Sequence, residues 1–306
     1  MIQYPSVRHR KIFRLKLPSH ALVLGERTLV MGVLNVTPDS FSDGGHYLDA
    51  DAAAAHAFEM ESAGADILDI GGESTRPGSH GISAQEELAR ILPVLAKLSG
   101  RLTIPISVDT SKADVAAAAA DGGAEIVNDV TALRLDPELA TFAARRKLPL
   151  ILMHMRGKPR TMQKTPFARD AVHNVSADLR RAVAVARRAG VAKSQIILDP
   201  GIGFGKSWAQ SFDLLARLPE LARLGHPLLV GPSRKTFIAQ AIGQAPGQTV
   251  PAKDARAWGT AATVTAAILA GAHIVRVHDV AEMVQVVRVA DAIADPKLRP
   301  VGPPSK

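Results

Sequence analysis

The sequence predicts an α/β protein, a (β/α)8 TIM barrel preceded by a short N-terminal strand pair. Three observations carry this. Eight short apolar runs recur along the chain: TLVMGVLN (28–35), ADILDIGG (65–72), TIPISVD (103–109), EIVND (125–129), LPLILM (148–153), QIILD (195–199), HPLLVG (226–231) and HIVRV (273–277). Continuous apolar runs of this length mark strands covered on both faces. Between them lie segments of helical composition and period, and strand alternating with helix means parallel strands joined by right-handed crossovers. The runs also end in polar residues, at the edge where a closed barrel collects its chemistry.

At 306 residues the chain has room for one large barrel or two ordinary domains, and 47% apolar residues suffice for a sizeable core. The net charge of +8 suits an anionic substrate or a generally basic surface. Lys and Arg are scattered, and aromatic residues for base stacking are only 4% of the chain, which argues against a nucleic-acid partner. Cysteine is absent, excluding disulfide frameworks, thiolate metal sites and Cys nucleophiles, and fitting a reducing compartment. No apolar segment is long enough to cross a bilayer, and no signal-type apolar core follows the basic N-terminal stretch. The expectation is a soluble cytoplasmic protein.

In order, residues 1–27 read as an extension and strand pair, with IFRLKL and ALVL on either side of Pro18-Ser19; the barrel spans 28–295 and a tail 296–306. Helices are expected at Asp51–Ala63, Ala84–Leu98, Lys112–Ala120, Asp170–Ala189, Ala257–Ala270 and Glu282–Ala292, with a shorter unit at Pro137–Arg146. The run ends present Asn35, Glu73-Ser74-Thr75-Arg76, Asp109, Asn128-Asp129, Met153-His154, Asp199, Ser233-Arg234-Lys235, and Arg276 with His278. One or two such ends are solvated turns. All of them on one rim make a site.

The first run opens into the loop NVTPDSFSDGG, where Phe41 has few apolar neighbours and awaits a ligand or a closing lid. Asn35, Asp109, Asn128 and Asp199 suit a heterocycle that offers amino and N–H donors beside carbonyl and ring-nitrogen acceptors, because a buried carboxylate needs such a partner. Helix capping competes with that role for Asp109 in DTSK and for Asp129. Arg276 and His278 stand two apart in a strand and project to one side; with Lys235 or Arg76 they form a cradle for an anion. GIGFGKS (201–207) fails the P-loop spacing, since Pro200 stands where that motif needs glycine. Its glycines instead let the backbone approach a flat ligand beside Phe204. His154 lacks partner histidines at ligand spacing, so with Met153 it reads as pocket wall.

In one order, NVTPDSFSDGG, DIGGESTRPG, SVDTSK, IVNDV, LMHM, LDPGIGFGK, GPSRK and RVHDV resemble the motifs of the dihydropteroate synthases, pterin-binding barrels, from about Val30 to Val289. The resemblance implies that 4-aminobenzoate displaces pyrophosphate from 6-hydroxymethyl-7,8-dihydropterin pyrophosphate, giving 7,8-dihydropteroate. It implies that Asp109, Asn128, Asp199 and Lys235 grip the pterin, with Met153 and Phe204 lining its slot. Asn35, Thr75, Arg76, Arg276 and His278 would hold the pyrophosphate, with Mg2+ ligated by Asn35. Phe41, Pro77, Lys235 and Thr236 would frame the aminobenzoate pocket, which sulfonamides enter as mimics. The catalytic set implied is Asp43, Arg76, Lys235, Arg276 and His278, with Asp43 the carboxylate nearest a developing cation. A homodimer through outer helices near the C-terminus is implied as well. Two residues depart from the pattern: Thr236, where the family often has Ser, and Pro232. A methyltetrahydrofolate-binding methyltransferase shares the barrel but has no use for the Arg-x-His pair or the long first loop. A non-catalytic paralogue would be expected to have lost Asn35, Asp109, Lys235 or Arg276, and all are present.

Overall fold

The computed structural model describes residues 10–37, 46–74, 79–157, 170–243 and 256–297. The chain enters through an antiparallel pair, β1 (Phe13–Lys16) and β2 (Ala21–Leu24), with Phe13 opposite Leu24. Eight parallel strands follow: β3 (Leu29–Asn35), β4 (Ile67–Gly71), β5 (Ile106–Asp109), β6 (Ala124–Asp129), β7 (Leu150–Met153), β8 (Ile196–Asp199), β9 (Leu229–Val230) and β10 (Ile274–Val277). They run β8-β7-β6-β5-β4-β3-β10-β9 around the sheet. One bridge, Leu198 to Leu228, joins its two ends, and the Leu198 N–H donates to the Pro227 carbonyl at 3.0 Å.

Alternation along each strand sorts the core into two bodies. Val30, Leu68, Val108, Val127, Leu152, Leu198, Val230 and Val275 face outward and are covered by the helices. Leu29, Met31, Ile67, Ile126, Ile151, Ile197, Leu229 and Ile274 face inward and pack as a plug against Leu15, Leu17 and Leu24 of the β1–β2 pair. The strand pair is therefore the bottom stopper of the barrel. It is pinned there by Arg10, whose guanidinium reaches Asp291 at 2.6 Å, and by His273, whose Nε2 donates to the Lys11 carbonyl at 3.0 Å.

Ten helices lie in the described residues: α1 (His46–Ser62), α2 (Ala84–Leu98), α3 (Ala113–Asp121), α4 (Glu138–Arg146), α5 (Ala171–Arg188), α6 (Trp208–Ala216), α7 (Leu218–Ala222), α8 (Thr236–Ala241), α9 (Ala257–Leu269) and α10 (Val280–Ala294). The short unit at 137–146 is α4, ended by Lys147 in the left-handed conformation. The helix expected from Asp51 starts five residues earlier, at His46, where the apolar spacing has not yet begun. Helix α6 lay between the sixth and seventh runs, too short to show a period. Its start signal is a capping box: Ser207 Oγ accepts from the Gln210 N–H and the Gln210 side chain accepts from the Ser207 N–H.

Candidate active site

One layer above the apolar plug, the inward-facing positions change character. Asp69 on β4, Asp109 on β5, Asn128 on β6, Asp199 on β8 and Arg276 on β10 all point into the barrel near its C-terminal mouth. Register places Asp109 beside Asn128 and Met153 beside Asp199 on neighbouring strands. The strand alternation that fills the plug thus delivers the polar ring.

Arg276 is the hub. Its Nε donates to Asp69 Oδ2 at 2.6 Å and its Nη2 to Asp109 Oδ2 at 2.8 Å. Asn128 Nδ2 donates to the same Asp69 oxygen at 3.0 Å. Burial pushes the Asp109 carboxyl up to about 8, against the pull of the Arg276 charge and with help from the Asp69 charge. Asp199 is likewise raised by burial, opposed by the Gly201 N–H, which donates to its Oδ1 at 2.7 Å, and by Lys235. Burial brings the Lys235 ammonium down to about 7, with Asp199 pulling the other way.

The loop after β8 is folded around a second cation. Lys206, 3% exposed, places its Nζ 2.7 Å from the Gly201 carbonyl, 3.0 Å from that of Phe204, 3.1 Å from that of His154 and 2.9 Å from His154 Nδ1. The imidazole is bracketed on its other side by Asp178, at 3.0 Å from Nε2. Gly201 has φ of +62°, and a Cβ there would stand 1.9 Å from the His154 carbonyl oxygen, so only glycine fits. The loop holds Phe204 against Met153, Val130 and Met155, and Lys235 Nζ sits 3.5 Å from the Phe204 ring centroid while donating to the Ile202 carbonyl at 3.1 Å. Met153 and Phe204 thus form an apolar side of the mouth and Asp109, Asn128, Asp199 and Lys235 a polar one, the two sides of a candidate slot.

The remaining expected residues lie around this slot. Asn35 ends β3, half-buried at the rim. His278 follows β10, and Ser233 Oγ accepts from its backbone N–H at 3.2 Å and lies 3.1 Å from its Nδ1. The hydroxyl has two lone pairs and one hydrogen, so it satisfies Nδ1 in either tautomer of the ring. Burial first, then the Arg276 charge, holds the ring down to about 3, so His278 is neutral. Arg276 and His278 do not act as a joined pair here: one is tied to carboxylates, the other to Ser233. Arg234 adopts a left-handed backbone with φ of +58° and is ion-paired with Asp279. Thr236 is exposed at the start of α8. Phe41, Asp43, Thr75, Arg76 and Pro77 lie outside the described residues.

Of the two carboxylates for which helix capping was open, Asp109 turns inward to Arg276 and caps nothing, whereas Asp129 is structural, accepting from the Thr131 and Leu133 N–H groups and from Ser111. Sequence reasoning missed Asp69 and Lys206. A charged residue between Leu68 and Ile70, inside a run apolar on both faces, is a signal that was there to find. It also missed Lys112, which reaches both Glu73 and the buried Glu87 and so ties the root of the second loop to the end of β5.

A closed parallel barrel whose mouth gathers buried carboxylates, an amide, a lysine and an arginine around an apolar slot defines an enzyme of the (β/α)8 class built for a flat, hydrogen-bonding ligand. The model of the pterin binding enzyme family matches residues 31–278, and the chain belongs to that family. It is 50% identical over 269 residues to the dihydropteroate synthase of Synechocystis sp., covering 88% of this chain and 91% of that one. The dihydropteroate synthase of Xanthomonas albilineans in complex with 7,8-dihydropteroate superposes with a TM-score of 0.81 at 40% identity, over 92% of this chain and 99% of that chain. That of Yersinia pestis, solved with a sulfonamide drug, superposes with a TM-score of 0.83 at 43% identity, over 92% and 99%.

Proposed function

We propose that this chain is a dihydropteroate synthase, joining 4-aminobenzoate to 6-hydroxymethyl-7,8-dihydropterin pyrophosphate with release of pyrophosphate. The observation that carries this reading is the ring of Asp109, Asn128, Asp199 and Lys235 closing one edge of a slot walled by Met153 and Phe204. Carboxylates and an amide match the amino and N–H groups of a pterin, and Lys235 and Asn128 match its carbonyl and ring nitrogens. The amine nucleophile needs no strong base. What the reaction needs is a place for charge: pyrophosphate leaves as negative charge grows on it, and the electron-rich ring stabilises the cation left on its exocyclic carbon.

Arg276 supplies a fixed positive charge at the mouth and His278 a neutral N–H, both directed to the leaving diphosphate in this reading. Asp43 is the carboxylate assigned to the cation, and Phe41, Pro77 and Thr236 border the aminobenzoate. For Mg2+ the residues present fit a sparse site: among the described residues no group of three or more His, Cys, Asp or Glu gathers as a cage, and Asn35 offers one amide oxygen at the rim. That suits an ion whose other ligands are water and phosphate oxygens. Bound there, Mg2+ would neutralise diphosphate charge.

The same reading includes a homodimer through α9 and α10, which expose Trp258 (82%), Leu269, Val289 and Ile293. A cytoplasmic location is proposed from the absence of cysteine and of any helix among the described residues long and apolar enough to cross a membrane. The deciding assay is coupling of aminobenzoate to the pterin pyrophosphate with and without Mg2+, with sulfonamide as competitor. Turnover that requires Mg2+ and is inhibited competitively with aminobenzoate is expected. Absence of product, or competition only with the pterin substrate, would overturn the reading.

A further inference from the structure

Asp69 is the one fully buried charge of the ring, 0% exposed in the centre of β4, beside Asn128, Asp199 and Arg276 of the alternate strands β6, β8 and β10. Its Oδ2 takes both Arg276 Nε and Asn128 Nδ2, while its Oδ1 has no hydrogen-bond partner among the described residues. Such a carboxylate is expensive to bury, and among the described residues Arg276 is the cation paired with it. Arg276 in turn touches two carboxylates, Asp69 at 2.6 Å and Asp109 at 2.8 Å. These are unequal partners. Asp69 is fully buried, whereas Asp109, on the next strand round the barrel and two residues beyond Ser107, the register partner of Asp69, is 9% exposed toward the mouth.

We infer that Asp69 is a positioning residue: it is the permanent counter-ion of Arg276, and by holding the guanidinium at Nε it leaves Asp109 available to the pterin. The inference rests on the pterin reading of the slot. Without a charge at position 69, Asp109 becomes the nearest carboxylate that can neutralise Arg276, and the arginine and the ligand then compete for one oxygen pair. The position serves orientation as well as charge. Nε is the guanidinium nitrogen closest to the backbone, so anchoring it fixes the plane of the fork and the direction of its terminal nitrogens.

Asp69→Asn removes the charge and keeps both the volume and an acceptor oxygen for Asn128. Calorimetry with the bare pterin, which lacks the diphosphate, is run on wild type, Asp69→Asn, Arg276→Met and the double variant, with urea melts alongside. Asp69→Asn is expected to weaken pterin binding about tenfold to a hundredfold, the scale of one charge-assisted contact. In turnover, KM for aminobenzoate should stay within about twofold, since the effect is on one substrate. The double variant should recover to within about threefold of Arg276→Met alone, because with the arginine gone nothing competes for Asp109. A purely structural ion pair would show its recovery in the urea midpoints, whereas positioning shows it in pterin affinity measured where every variant is folded. Asp69→Asn binding like wild type, or a double variant weaker than either single one, would overturn the inference. If Asp69→Asn does not fold, the comparison of the double variant with Arg276→Met still decides. Failure of wild type to bind pterin at all would instead sink the functional reading, so the two failures are distinguishable.

Discussion

Replacing Lys206 by Met tests whether the loop after β8 is a preformed half of the pterin slot. The ammonium satisfies the carbonyls of His154, Gly201 and Phe204 and the Nδ1 of His154 in a place only 3% exposed. Methionine matches the length and fills the space but donates nothing. Each stranded buried acceptor costs about 1–3 kcal/mol, so the three carbonyls alone set a scale of roughly 3–9 kcal/mol. Against that, wild type bears the cost of burying an ammonium, which burial also drives well below its usual pKa. With partial relaxation of the loop, a net destabilisation of about 2–4 kcal/mol is expected from urea melts. The functional effect follows the same atoms. Gly201 positions Asp199 through its N–H, and Phe204 packs beneath Lys235, so pterin affinity should fall about tenfold to a hundredfold. Calorimetry with the bare pterin reads this directly. A variant that loses stability but keeps wild-type pterin affinity would show that Lys206 supports the barrel without shaping the slot, and the reasoning would be refuted.

His273 is a clean acid-sensitive element remote from the slot: Nδ1 accepts from the Leu228 N–H at 3.1 Å, Nε2 donates to Lys11, and burial holds the ring down to about 4. The unfolded chain takes up a proton near pH 6.5 that the folded chain refuses, so stability should fall by up to about 1.4 kcal/mol per pH unit between pH 6.5 and 4 on this account. His273→Gln should flatten that limb by one proton's worth in urea melts across this range; an unchanged slope would count against it. At the mouth, His278 stays neutral above pH 3 or so, and its contribution to turnover should not vary between pH 5 and 8. His278→Ala is expected to lower kcat/KM up to about tenfold, the scale of one neutral hydrogen bond, by the same factor at both ends of that range; a loss confined to the acid side would mean that the charged ring is the active form.

The strands, their order round the barrel and the rim positions were legible because both signals are local: continuous apolar runs, and polar residues where those runs stop. The bottom stopper was half legible. IFRLKL and ALVL read as a strand pair, but nothing in the thirteen residues from Ile12 to Leu24 says that Leu15, Leu17 and Leu24 insert beneath eight strands drawn from the whole chain. Lys206 was hidden for a similar reason. It looked like the end of a failed phosphate loop, and its partners are carbonyls, which leave no trace in a sequence. Asp69 failed differently. The period of a doubly buried strand is read from hydrophobicity, and one charge in its centre is averaged away unless it is asked what neutralises it. Its answer, Arg276, lies 207 residues further on.

That pairing also changes what Arg276 is. Read from the sequence, it is an anion clamp; in the folded chain it is held by two carboxylates. The proposed clamp and the observed pairing are compatible because a guanidinium carries five N–H donors in a fixed plane, and the bonds to Asp69 and Asp109 use one on Nε and one on Nη2. The carboxylates therefore do not compete with a diphosphate for the whole group. They aim it. A charge steadied by fixed partners costs little reorganisation when negative charge grows beside it, which is the condition under which a fixed cation stabilises a departing anion most. The same geometry argues against lysine at this position: a single ammonium nitrogen has no separate point by which it is anchored while another faces the leaving group. The polar layer of this barrel is thus a chain of contacts, with Asp69 fixing Arg276, Arg276 partly neutralising Asp109, and Asp109 the more exposed of the two carboxylates.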